Sequence, residues 1–293
     1  MATRTITVGT PDGRTLCVES GGVVGGRAIL VHDGTPNSRH LSENAVADAE
    51  DKNVHLISYD RPGYGGSTAT PGLMIADCAV DVQAIAASFH IDQLAVWGIS
   101  GGGAYALACA ALLPDLVTRV ATLASSAPYD APGLDYFNGR GQANVDDTKL
   151  ILRDPTAARE KIAVLRQEVL HLSPEQLVEA WSSLLTPTDT AALTPQLSSF
   201  LVSSMKDGLA PGDQGWWDDA CAHLKPWGFI VEDIQVAVQL WHGRQDRFVP
   251  FQHGEWLAEH IPGVDAHLTE DDGHLTLTDR LPEIHDWLLD GFQ

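Results

Sequence analysis

Gly98-Ile99-Ser100-Gly101-Gly102 is the segment that most narrows the folds open to this chain. It follows the apolar run Leu94–Trp97 and precedes the Ala- and Leu-rich run Gly102–Leu113, which Pro114 ends. That order reads as strand, tight turn, helix. Strand and helix approach each other closely at such a turn, and Gly98 and Gly102, flanking Ser100, leave the room. A serine held there sits at a helix N-terminus, where backbone N–H groups can face an oxyanion. A Gly-rich turn of purely structural use shows the same five residues. A dinucleotide loop fits poorly: the segment is not in the first strand–helix unit, and it lacks G-x-G-x-x-G followed by an acid.

The rest of the first half supports the strand–turn–helix reading. Thr5–Val8 and Thr15–Glu19 flank Pro11-Asp12-Gly13 and read as a hairpin. Ala28–His32, His55–Tyr59 and Ala95–Trp97 are short apolar runs that suit buried parallel strands. Ile75, Cys78, Val82, Ile85 and Phe89 recur at helical spacing. Alternation of this kind predicts an α/β fold with a mostly parallel sheet. After Pro128 the pattern becomes helical, with Ala157–His171 and Pro174–Leu185 as two predicted helices. Strand character returns at Ile234–His242 and Asp265–Leu268, and helices are expected near Phe251–His260 and Leu281–Leu289. The expected division is a core of residues 1–127 and 231–293 with a helical insertion at 128–230.

A nucleophilic serine needs a base, and the base needs an orienting acid. A serine on such a strand-to-helix turn resembles that of the α/β-hydrolases, a resemblance that implies acid and then histidine after it along the chain. Three late histidines lie beyond the last strong strand–loop signal: His267, His274 and His285. His267 falls in a strand pattern and His285 in a helical one. His274 follows Glu270-Asp271-Asp272-Gly273, a loop from which a side chain can turn into a cleft. Asp246 is the sole carboxylate in Gly243–Pro250, the loop after the preceding strand. Arg244 and Arg247 offer it a plain surface ion pair as the alternative. The triad reading has Asp246 hold the His274 tautomer and stabilise the imidazolium. Two N–H donors should meet the oxyanion: Gly101, just after the serine, and Thr35, in the loop His32–Ser38.

Four blocks then coincide: VHDGTP, YDRPGYGGS, GISGGG, and WHGRQDRFVP with DDGH. Together they resemble the α/β-hydrolase superfamily, in the serine hydrolase branch with a helical cap after the sixth strand. The likeness runs from Thr5 to Leu289. It implies a mostly parallel eight-stranded sheet flanked by helices, a catalytic triad of Ser100, Asp246 and His274, and oxyanion donors at Thr35 and Gly101. It also implies a hydrolase that needs neither metal nor organic cofactor. One departure stands out: Asp33-Gly34 occupies the place of the usual His-Gly, with His32 one position earlier. A carboxylate beside an oxyanion hole opposes the developing charge unless it is turned away or paired. Ser100 stands where epoxide hydrolases and haloalkane dehalogenases of this fold carry aspartate.

Chemistry of this kind suits a carboxylesterase or lactonase acting on a small-molecule substrate. A carbon–carbon bond hydrolase, a proline iminopeptidase and a cofactor-free haloperoxidase are alternatives, as is a non-catalytic ligand-sensing protein on the same scaffold. Trp216, Trp217 and Phe229 hint at an apolar pocket under the insertion. Glu160, Glu168, Glu175 and Glu179 are the acids an aminopeptidase would turn toward a substrate amine. The net charge of −21, from 39 acids against 18 bases, argues against nucleic acid and anionic membrane surfaces as partners. Cys17, Cys78, Cys109 and Cys221 show no zinc spacing and read as buried free thiols. With no apolar leader or membrane-length run, the expected location is the cytoplasm. Oligomeric state has no signature in the sequence.

Overall fold

The computed structural model describes residues 3–292. Eight strands form one sheet: β1 (Arg4–Gly9), β2 (Thr15–Gly22), β3 (Arg27–His32), β4 (Val54–Tyr59), β5 (Leu94–Ile99), β6 (Val117–Leu123), β7 (Ala237–Gly243) and β8 (Asp265–Thr269). Their spatial order is β1-β2-β4-β3-β5-β6-β7-β8. Only β2 runs against its neighbours, pairing antiparallel with both β1 and β4; the remaining pairs are parallel. The central strands are buried along their length, as a sheet covered on both faces requires.

Between β3 and β6 run α1 (Glu43–Asp51), α2 (Cys78–Phe89) and α3 (Gly101–Leu112). The segment from β6 to β7 carries α4 (Gln142–Arg153), α5 (Pro155–His171), α6 (Leu177–Ala180), α7 (Pro187–Ala192), α8 (Pro195–Leu209) and α9 (Gln214–Ala222), and no strand. Helices α10 (Phe251–His260) and α11 (Leu281–Leu289) complete the chain. One apolar layer joins α2, α3 and α10 to one sheet face, around Val82, Leu107 and Leu257. A second joins α1 and α11 to the other, around Ala49, Ile284 and Leu288. A third, smaller cluster of Leu177, Leu201, Met205 and Leu275 packs the helical segment onto the C-terminal part of the chain.

Three expectations need adjusting. The predicted helix Pro174–Leu185 is broken into a 3-10 turn at Pro174–Gln176, the single turn of α6, and a further turn closed by Leu184 and Leu185 N–H groups on the Trp181 carbonyl. Ser182 and Ser183 favour such turns over helix, and the bend buries Leu177 and Leu185 together. Strand β7 starts at Ala237 rather than Ile234, because Val231–Asp233 form a 3-10 turn. Cys17 and Cys221 are partly exposed, while Cys78 and Cys109 are the buried thiols.

Candidate active site

Ser100 caps α3 directly after β5, with φ 55° and ψ −126°. Positive φ is costly for a residue with a Cβ and persists only where its surroundings enforce it. Here the Ser100 N–H donates to the Leu123 carbonyl at 2.8 Å, tying the turn to β6. The flanking glycines are required by contact. A Cβ at Gly98 would stand 2.3 Å from the Gly102 carbonyl oxygen, and one at Gly102 would stand 2.0 Å from that of His32.

Asp246 and His274 meet as the loop reading anticipates. His274 Nδ1 donates to Asp246 Oδ2 at 2.7 Å, and the pair is buried. Asp246 Oδ1 accepts the N–H groups of Phe248 and Val249 at 2.8 and 2.9 Å, which orients the carboxylate. With Nδ1 engaged, Nε2 is the free ring nitrogen, and His274 lines a cavity that also contains Ser100. Burial opposes protonation of His274, but the Asp246 charge and hydrogen bond outweigh it, so its pKa is raised. The ion-pair alternative for Asp246 fails, since Arg244 pairs with Glu270 at 2.6 Å. The other two histidines are engaged elsewhere: His285 Nδ1 contacts Asp48 at 2.6 Å, and His267 stacks on Trp241.

The loop after β3 lies against the serine turn, with the Cβ position of Gly34 3.3 Å from Ser100 Cβ. Among the described residues, no protein acceptor takes the N–H of Thr35 or of Gly101. Asp33 is paired: its Oδ1 accepts the Gly34 N–H at 2.7 Å and the Asn37 amide at 3.1 Å. Burial, opposed by those bonds, pushes its pKa up, toward the uncharged form.

The loop is held from behind by groups the sequence did not single out. Asp219, on α9, accepts from Thr35 Oγ1 at 2.5 Å, Arg61 Nη2 at 2.7 Å, Tyr64 at 3.0 Å and Tyr105 at 2.5 Å. Arg61 also donates to the Asp33 carbonyl at 2.5 Å. Burial alone would raise the Asp219 pKa; the Arg61 charge overcomes that and holds it at about 2. On α7, buried Asp189 accepts the Leu275 N–H at 2.7 Å and so fastens the histidine loop. Arg61 and Tyr64 lie in the YDRPGYGGS block, whereas nothing in the local sequence marks Asp189 or Asp219.

Two cavities adjoin Ser100, of about 290 and 990 Å³. Both also contact Thr35, Met205 and Phe248. Trp216 lines the smaller one, but Trp217 does not, and Phe229 instead packs on Trp227 in the core. Glu160, Glu168, Glu175 and Glu179 are all exposed to solvent. His223 lines the smaller cavity, with its Nε2 3.3 Å from the Cβ position of Gly101, and burial lowers the pKa of this imidazole. The one cluster with metal-ligand chemistry among the described residues is His32, Cys78 and Cys109, buried beneath α3 and lining neither cavity. No helix among the described residues is long and apolar enough to cross a membrane.

A family model for the alpha/beta hydrolase fold matches residues 27–281. The chain is 24% identical over 268 residues to the AB hydrolase superfamily protein YisY of Bacillus subtilis (strain 168), covering 90% of each. It is 22% identical over 275 residues to a 2-hydroxy-6-oxo-6-phenylhexa-2,4-dienoate hydrolase of Comamonas testosteroni, covering 91% of this chain and 87% of that one. A thermophilic esterase from Thermogutta terrifontis superposes with a TM-score of 0.70 at 19% identity, over 99% of this chain and all of the other.

Proposed function

Because the chain belongs to the α/β hydrolase fold family, we infer that it is a serine hydrolase that cleaves a small ester or lactone by acyl transfer to water. The observation that carries this reading is the buried Asp246–His274 pair at 2.7 Å, whose histidine shares a cavity with a serine held at positive φ. His274 Nε2 takes the Ser100 proton as Oγ attacks the substrate carbonyl. The N–H groups of Thr35 and Gly101 receive the oxyanion. The imidazolium returns its proton to the leaving alcohol, and water repeats the sequence on the acyl-enzyme. Asp246 fixes the tautomer and stabilises the imidazolium. In this reading the helical segment 128–230 roofs the site. The aminopeptidase alternative lacks support, since its four candidate acids lie on solvated faces.

Ser100→Ala should abolish turnover of short p-nitrophenyl esters, a loss of about a millionfold in kcat where nucleophile and base act as a unit. Wild-type activity in that variant would sink the assignment. Fluorophosphonate should label Ser100 and nothing else; an adduct elsewhere, or none, would favour a ligand-sensing protein.

A further inference from the structure

The two cavities at Ser100 differ in charge. The larger is lined by Glu19, Asp33, Glu43 and Asp279 and by no lysine or arginine. The charged residues lining the smaller are Arg140, Asp147 and Lys161. Lys161 is satisfied by Asp147 at 2.5 Å. Arg140 has no carboxylate partner among the described residues, and no acceptor in the protein reaches its buried Nε and Nη2. Its guanidinium lies over the Tyr136 ring, 4.5 Å from the centroid, which fixes its plane without using its donors. Protein interiors rarely leave such groups alone, since buried polar groups are hydrogen-bonded and buried charges are paired.

His223 lines the same cavity but keeps its Nε2 buried beside Gly101. The Arg140 charge is also near enough to oppose protonation of His223, His253 and His274. A cavity lined by a cation that has no carboxylate partner, inside a chain of net charge −21, favours an anion against its own surroundings. A guanidinium presents parallel N–H groups at the spacing of carboxylate oxygens.

We propose that the smaller cavity is a carboxylate subsite, in which Arg140 binds an acid group on one half of the substrate while the other half occupies the larger cavity. The proposal rests on the serine hydrolase reading and names its substrate class: esters that carry a free carboxylate on the acyl or the alcohol side of the scissile bond. Ser100 then stands between a chamber lined by Arg140 and a larger one lined by no lysine or arginine, and substrate orientation follows from that difference.

Matched substrates test it. The first set comprises p-nitrophenyl monoesters of adipic, pimelic and suberic acids against the same esters of hexanoic, heptanoic and octanoic acids. The second comprises hexanoate esters of 6-hydroxyhexanoic acid and of 1-hexanol. In one of the two sets the acid should be preferred by about tenfold or more in kcat/KM, the scale of one good charged contact. Arg140→Gln should collapse that preference, and Arg140→Lys should restore part of it. A wild-type enzyme that favours the neutral ester throughout, or a preference that survives Arg140→Gln, overturns the subsite while leaving the hydrolase reading intact. Should the variants not fold, adipate against adipamide as inhibitors of wild-type hexanoate hydrolysis decides the same point: equal inhibition refutes it. Should no ester turn over, the hydrolase reading itself fails, and calorimetric binding of adipate against adipamide still tests the anion site.

Discussion

The sheet and the helical segment contribute to the candidate site in different ways. Sheet-borne loops supply Ser100, Asp246 and His274, each at or just beyond a strand end. The helical segment supplies no member of that trio; it supplies the buried carboxylates Asp219 and Asp189, which grip the Thr35 and His274 loops. The candidate reacting groups come from loops anchored to the hydrogen-bonded sheet. Their alignment depends on carboxylates reaching in from a separate layer of helices. The difference teaches that the helical segment is a mechanical part of the candidate site.

The comparison breaks most sharply at Asp246. Asp246→Asn should lower kcat by about 10⁴-fold through loss of the correct tautomer, while leaving the fold in place. The same variant shifts the pH profile. Asp246 holds the His274 pKa above its ordinary 6.5, so the acid limb of kcat/KM should lie above 6.5 and move down in the variant. A limb unmoved by the substitution would separate Asp246 from His274.

Asp219→Ala tests the helical side. It leaves Arg61 buried without its counter-ion and should destabilise the protein by about 3–5 kcal/mol, read by urea unfolding. Because Asp219 is held at about 2 against an ordinary 3.8, its contribution is complete above pH 3.8 and is lost as pH falls toward 2. The gap between wild type and variant should therefore narrow in acid. Asp189→Ala removes the acceptor of the Leu275 N–H and should cost less, about 1–3 kcal/mol, with a fall in kcat from a loosened His274. An effect on stability without one on kcat would confine Asp189 to packing. The smallest effect belongs to the solvated helix faces: Glu160→Gln and Glu168→Gln should stay within about 0.5 kcal/mol and leave kcat/KM unchanged.

Legibility followed sequence distance. The serine turn was readable because strand, glycines and helix are contiguous, and local sterics demand small residues at Gly98 and Gly102. His274 and Asp246 were readable from chain order and loop placement, although 28 positions separate them. Strand β6 and helix α1 were not singled out: Val117–Leu123 alternates with Thr118, Arg119 and Thr122, and α1 is short and rich in acids. Helical spacing predicts a single helix over Pro174–Leu185, but such spacing does not reveal the bend that buries Leu177 and Leu185 jointly. Arg61 was visible as part of a motif but had no role until its partner was known.

By itself the sequence determined the α/β alternation, the strained serine turn and the identity of the charged residues in the strand-end loops. These depend on periodicity, glycine sterics and order along the chain, which are local. Only the tertiary structure decided that Asp219, 158 positions from Arg61, neutralises it behind the loop after β3. It also decided that Asp33 is paired within its own loop, and that Arg140 faces the serine cavity without a counter-ion. Pairing of charges across such distances is set by which surfaces the helical segment lays against the sheet, and no short stretch of chain encodes that.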